Sequence, residues 1–156
     1  MDDFSAKPGS PNGYGLIGGE ANKIEPRKRP LSSMTPVIMK KDGKPYFVTG
    51  SPGGSTIITV VLQNILNVVD FDMNAMEAVT APRIHHQWLP DVVITEPGIS
   101  GDTVKILEGR GFNFAKDKSG KFQRTTLGRA NAVMHKDGFF FGAADLRSPT
   151  SGSSGY

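Results

Sequence analysis

From Thr35 onward the chain alternates apolar and polar positions in short runs. Pro36-Val37-Ile38-Met39-Lys40 and Pro45-Tyr46-Phe47-Val48-Thr49 flank Asp42-Gly43. That dipeptide accepts the positive φ angles of a two-residue turn, so the stretch predicts a β-hairpin. The layout recurs as Ala130 to His135, Lys136-Asp137-Gly138 and Phe139 to Ala143. Two hairpins are too few for a repeat array and are expected to supply adjacent antiparallel strands of one sheet. Between them the period changes. Ile57, Ile58, Val61, Leu62, Ile65, Leu66 and Val69 follow a 3.6-residue spacing, which predicts a helix over 55–70 with Ser55 as its N-cap. A shorter helix is expected from Asn74 to Thr80, stopping before Pro82. A third, Asp102 to Arg110, runs into Gly111, a left-handed cap. Val92 to Thr95 and Phe112 to Ala115 read as short strands. The sum is an α+β fold with helices laid on an antiparallel sheet.

Residues 1–30 break this pattern. Gly9, Gly13, Gly15, Gly18 and Gly19, with Pro8, Pro11, Pro26 and Pro30, read as an extended loop. A loop of about 30 residues either holds a functional site or lacks the elements it packs against. Residues 31–156 form the expected sheet-and-helix body.

Composition narrows the function classes. At 156 residues the chain is one domain or a large piece of one. With 37% hydrophobic and 21% charged residues it is neither a disordered tail nor a membrane protein. The net charge of +3 is mild. Basic residues are dispersed apart from the run at 23–29, so a nucleic-acid partner finds no support. The absence of cysteine excludes disulfides, thiol catalysis and Cys-type zinc sites. The longest apolar stretch, Ile57 to Val69, is interrupted by Thr59, Gln63, Asn64 and Asn67, short of the roughly 20 apolar residues of a membrane span. The acidic start, Met1-Asp2-Asp3-Phe4-Ser5, lacks the basic and apolar regions of a signal peptide.

The most informative local feature is Phe47-Val48-Thr49-Gly50-Ser51-Pro52-Gly53-Gly54-Ser55, a strand running through a glycine turn into a helix. Such a turn exposes N–H groups where the helix dipole favours negative charge. The Gly-Lys-Ser/Thr ending of a phosphate loop is missing. An oxyanion hole for acyl transfer suits the same geometry, as does an ordinary tight connection. Ser32-Ser33, held between Pro30 and Pro36, could hydrogen-bond a carboxylate or simply form a turn. Asp2 and Asp3 could receive an ammonium group or be merely solvated. Adjacent His85 and His86 point to opposite faces of a strand and do not readily hold one metal ion. No Ser-His-Asp order, HExxH or GxSxG motif occurs.

Several strings nonetheless form a recognisable set: Met1-Asp2-Asp3-Phe4, Arg29-Pro30-Leu31-Ser32-Ser33-Met34, Gly50-Ser51-Pro52-Gly53-Gly54-Ser55, Ala81-Pro82-Arg83-Ile84-His85-His86-Gln87-Trp88 and the ending Gly155-Tyr156. In this order they resemble the γ-glutamyltransferases, also called glutathione hydrolases, and they cover essentially the whole chain. The resemblance implies part of an N-terminal-nucleophile hydrolase with an αββα sandwich. It implies a precursor that cleaves itself into a large and a small subunit, the new N-terminal threonine of the small subunit being the nucleophile and its α-amine the base. By the same resemblance Asp3 pairs with the substrate's α-ammonium, Ser32 and Ser33 hold its α-carboxylate, and Gly53 and Gly54 form the oxyanion hole. No cofactor or metal is implied. Glutathione is the implied substrate, the large subunit the implied partner, and the periplasm or cell exterior the implied compartment.

In the family the small subunit starts several dozen residues before the Met-Asp-Asp-Phe string. The nucleophile, the processing site and the large subunit are therefore expected to lie outside this chain, which is expected to be inactive alone. Thr125-Thr126 is no substitute, because an internal threonine has no free α-amine. At Asp145-Leu146-Arg147-Ser148, many members carry proline at the second position. Two other readings stand beside this one: a catalytically dead γ-glutamyl-binding or scaffold remnant, and an anion- or nucleotide-binding module using Gly50 to Ser55.

Overall fold

A computed structural model describes residues 3–155. Asp2, with Met1 and Tyr156 of the quoted strings, lies outside the described residues. The chain divides into two compact units, Met1–Met34 and Thr35–Tyr156.

The first unit contains one 3-10 turn, Glu20–Asn22, and two isolated bridges, Ser5 to Lys23 and Pro11 to Ile17. Short-range turns hold it. Asn12 Oδ1 accepts the N–H groups of Tyr14 and Leu16 at 2.9 and 3.0 Å, a side chain closing a turn on its own backbone. Ser5 N–H donates to Asn22 C=O at 2.9 Å, and Gly9 N–H to Gly18 C=O at 2.8 Å.

The second unit holds the expected elements except a strand at 112–115, where only Phe114 bridges, and adds the short strand 84–85. They are β1 (Val37–Lys41), β2 (Lys44–Gly50), α1 (Ile57–Val69), α2 (Ala75–Thr80), β3 (Ile84–His85), β4 (Ile94–Thr95), α3 (Gly101–Gly109), β5 (Asn131–Lys136) and β6 (Phe139–Ala144). Strands β1-β2-β5-β6 form an antiparallel sheet in that order, and β3-β4 a small second one. Both hairpins turn as their Asp-Gly pairs demand: φ is 52° and 78° at Asp42 and Gly43, and 53° and 83° at Asp137 and Gly138. The hairpins join through β2 and β5, with Phe47 opposite Met134 and Thr49 opposite Ala132. The capping box of Asn74 and Glu77 starts α2. Gly111 at φ 94° ends α3, its N–H on Glu108 C=O at 2.9 Å. The predicted strands at 92–95 and 112–115 meet in parallel through a single bridge, Val93 to Phe114.

Two details of α1 differ from the sequence reading. Ser55 is not its N-cap. A 3-10 turn, Gly54–Thr56, precedes the helix, Ser55 lies inside it, and the residue before Ile57 is Thr56, which makes no side-chain cap bond. The Thr56 side chain reaches back to Gly53 instead. The buried stripe is also displaced. It comprises Ile57, Val60, Val61, Asn64 and Val68, while Ile58, Leu62, Leu66 and Val69 are exposed. Asn64 belongs to that stripe because its Nδ2 donates to Thr49 Oγ1 at 3.1 Å across the helix–sheet contact.

The main core lies between the sheet and α1 and α2. Phe47, Val60, Val68, Ala78, Val79, Leu127, Ala132 and Met134 are among its buried members. On the opposite face Ile38, Val48 and Val133 are paired across neighbouring strands and exposed. Among the described residues no helix is long and apolar enough to cross a membrane.

Candidate active site

Strand β2 ends at Gly50, and Ser51-Pro52-Gly53-Gly54 carries the chain to the 3-10 turn that opens α1. Gly53 has φ 147° and Gly54 φ 58°, values that a residue with a Cβ adopts only under strain. At Gly53 space matters as well, since a Cβ there would sit 2.5 Å from Thr56 Oγ1. The Gly53 carbonyl accepts both Thr56 N–H at 3.1 Å and Thr56 Oγ1 at 2.8 Å. Among the described residues the N–H groups of Gly53 and Gly54 have no protein acceptor. Two unpaired backbone donors therefore stand ahead of a 13-residue helix, an arrangement suited to an anionic oxygen.

Behind this turn runs the segment Leu127–Ala130. Gly128, at φ 64°, lies so close that a Cβ on it would be 2.6 Å from Ser51 Oγ and 3.0 Å from Val60 Cγ2. Arg129 N–H donates to Ser51 Oγ at 3.0 Å, and Ser51 Oγ donates to Pro52 C=O at 2.7 Å. The Ser51 hydroxyl is thereby engaged on both sides.

Four charged side chains fasten the same segment from beneath. Arg83 Nη2 meets Asp145 Oδ2 at 2.8 Å, and Arg147 Nη1 meets Asp145 Oδ1 at 3.0 Å. Arg147 also holds Glu96 through Nε at 2.7 Å and through Nη2. The backbone of 127–130 attaches directly to this network. Leu127 N–H donates to Glu96 Oε1 at 2.7 Å, Arg83 Nη1 donates to Leu127 C=O at 2.7 Å, and Ala130 N–H donates to Asp145 Oδ2 at 2.8 Å. Arg83, Glu96 and Asp145 are almost wholly buried. Burial pushes the Asp145 carboxyl upward, but hydrogen bonds from the Arg147 backbone and guanidinium, with the charge of Arg83, hold it below the ordinary aspartate range. Burial lowers Arg83 and the neighbouring Arg147 charge adds to that. Burial also weighs against charged Arg147, yet the hydrogen bonds it donates to Glu96 and Asp145 raise it.

In the sequence Arg83, Asp145 and Arg147 stand only inside longer strings, and Glu96 belongs to no motif. Asp145 lies 62 residues from Arg83, and Arg147 lies 51 from Glu96, so no local spacing announces the cluster.

Asp3, Ser32 and Ser33 lie in the first unit. Leu31 N–H donates to Asp3 C=O at 3.3 Å, which brings the Leu31-Ser32-Ser33 run beside Asp3. Asn22 Nδ2 donates to the same carbonyl at 2.6 Å. Ser32 and Ser33 are exposed, and Ser32 Oγ accepts the Met34 N–H at 3.4 Å. Among the described residues the Asp3 carboxylate has no ion pair. The two histidines part as expected. His85 is buried against Thr59 and Gln87, at 2.8 and 3.0 Å, while the exposed His86 meets Asp91 at 3.0 Å. Thr125 N–H is taken by Thr95 C=O at 3.0 Å within the body.

Residues 1–155 match the family described as Gamma-glutamyltranspeptidase. The chain belongs to that family. It is 54% identical over its full length to the glutathione hydrolase proenzyme of Escherichia coli K12, of which it covers 26%. A crystal structure of a mutant γ-glutamyltranspeptidase from Helicobacter pylori superposes with a TM-score of 0.84 at 48% identity, over 95% of this chain and 78% of that one. The Pseudomonas nitroreducens γ-glutamyltranspeptidase, solved with L-DON, gives 0.85 at 37% identity, over 100% and 79%. The chain thus spans about a quarter of its curated relatives and corresponds to their C-terminal part. Its α+β fold is that of the N-terminal-nucleophile hydrolase γ-glutamyltranspeptidases.

Proposed function

We propose that this chain supplies substrate-recognising and oxyanion-stabilising residues of a γ-glutamyltransferase or glutathione hydrolase. Such an enzyme passes the γ-glutamyl group of glutathione to water, an amino acid or a peptide. The observation that carries this reading is the pair of unpaired N–H groups at Gly53 and Gly54. A γ-amide carbonyl under attack develops negative charge on its oxygen, and one fixed donor stabilises that charge by about 3 kcal/mol. Asp3 takes the α-ammonium of the glutamyl group, and Ser32 and Ser33 its α-carboxylate. The acyl group goes to an N-terminal threonine outside these 156 residues, with the threonine's own amine as base.

The proposed partner is the large subunit of the same precursor. The Ile38, Val48 and Val133 row on the sheet and the Ile58, Leu62, Leu66 and Val69 stripe on α1 support this, because association would bury apolar surface that water now touches. The periplasm or cell exterior is the proposed compartment, on family resemblance alone.

The test is amine release from a γ-glutamyl anilide. The full precursor carrying these residues is expected to turn over, and Gly53→Ala to lower kcat by about 10²–10³. The 156 residues alone are expected to release nothing. An unchanged kcat in Gly53→Ala removes the oxyanion reading, and turnover by the short chain removes the external nucleophile.

A further inference from the structure

We infer that the hydroxyls of Ser51 and Thr56 are positioning groups that aim the two oxyanion donors, each by holding the carbonyl end of a donor's peptide plane. The inference rests on the proposed reading of Gly53 and Gly54. The donor N–H of Gly53 belongs to the same planar peptide unit as the Pro52 carbonyl, and the N–H of Gly54 to the unit of the Gly53 carbonyl. Because a peptide unit is rigid, fixing its C=O fixes the direction of its N–H. Ser51 Oγ donates to Pro52 C=O at 2.7 Å. Thr56 Oγ1 donates to Gly53 C=O at 2.8 Å, beside the Thr56 N–H at 3.1 Å. Both planes are thus gripped from the side away from their donors.

The turn needs this grip. Two consecutive glycines with positive φ define their own conformation poorly, whereas an oxyanion hole requires donors held to about half an ångström. The Ser51 hydroxyl is itself oriented. Its lone pair receives Arg129 N–H at 3.0 Å, which turns its proton towards Pro52. Arg129 is placed in turn by its neighbours, since Leu127 and Ala130 are tied to Glu96, Arg83 and Asp145. Gly128 allows the approach, as a Cβ there would lie 3.2 Å from Pro52 C=O and 2.6 Å from Ser51 Oγ. The chain of restraint runs from the buried ions through 127–130 to the Ser51 hydroxyl and the donor plane.

The two hydroxyls are not equivalent. Thr56 shares its carbonyl with a backbone N–H, while among the described residues Ser51 is the sole donor to Pro52 C=O. Removing Ser51 should therefore cost more.

The test uses the full precursor, with kcat counted per site from the burst of amine release. Ser51→Ala is expected to lower kcat about tenfold and Thr56→Val about threefold, with KM for the γ-glutamyl donor within about twofold in both. Ser51→Thr and Thr56→Ser keep the hydroxyl and should stay near the parent. Gly128→Ala, which pushes the 127–130 segment off the turn, should lower kcat about a hundredfold. Unchanged kcat in Ser51→Ala and Thr56→Val overturns the proposal, and so does an equal loss in the hydroxyl-retaining variants. Gly53→Ala in the same series separates the two layers. If it lowers kcat by about 10²–10³ while Ser51→Ala and Thr56→Val leave kcat unchanged, only the positioning role falls; if it leaves kcat intact, the oxyanion reading falls and the positioning role with it.

Discussion

Between Asp3 and Met34 a single described residue, Ser5, is buried, whereas the unit that starts at Thr35 buries Phe47, Val60, Val79, Val104 and the inward side chains of β5 and β6. The first unit is secured by turns and by Asn12 and Asn22 bonded to nearby backbone. The second adds an apolar core and a set of four charges, three of them buried. The difference matches the two tasks proposed for them. A zwitterionic substrate end is met well by exposed polar groups, and a small adjustment of them costs little. Charge that exists only in the transition state requires donors already in place before reaction. The donors accordingly sit on the unit whose geometry is the more heavily determined.

The largest effect should come from breaking that determination. Asp145→Ala strands the guanidinium of Arg83 in the core and should destabilise the body by about 3–5 kcal/mol at neutral pH, read by denaturant unfolding. Hydrogen exchange in residues 3–34 should not change; a matching loss of protection there would erase the contrast between the units. The effect has a pH signature. The Asp145 carboxyl is held below its ordinary value in the folded state, so its contribution is complete above about pH 4–5 and fades as pH falls towards the folded pKa. The gap between parent and variant should therefore narrow in acid. A gap that widens in acid reverses the sign and excludes the ion pair as the cause.

Next in size is Asp3→Asn. Loss of one charged partner for an ammonium should raise KM for the γ-glutamyl donor by roughly tenfold or more, while global stability changes by less than about 0.5 kcal/mol. A destabilised protein with unaltered KM would make Asp3 a structural residue. The smallest expected effect is that of Asn22→Ala, which removes the bond to Asp3 C=O. It should weaken the first unit by about 1 kcal/mol, seen as faster exchange near Asp3 with no shift in melting of the body.

Much of this architecture was legible because its causes are local. Asp42-Gly43 and Asp137-Gly138 set both hairpins, Asn74 opens α2, and Gly111 closes α3. The face of α1 was not legible. Nine aliphatic positions lie on more than one side of that helix, and only contact with the sheet and α2 decides that Val60 and Val68 go in while Leu62 and Val69 stay out. The start of α1 is hidden for a related reason: Ser55 has the right side chain for a cap, but Thr56 closes a 3-10 turn on Gly53 first. Glu96 and Gly128 matter only through partners dozens of residues away, which no short-range pattern exposes.

The seam between β2 and β5 has a consequence for the order in which the molecule comes together. Each hairpin closes over a few residues, and such closures take microseconds. The seam joins residues 82 apart, as at Thr49 Oγ1 and Asn131 C=O, and a contact that distant must wait for the intervening chain to be gathered. Two ready-made ribbons therefore form early, each with unpaired strand edges, and the sheet that carries the glycine turn is completed late. In dilute solution the rate of that last step, rather than the strength of either ribbon, decides how long those edges stay available to other molecules.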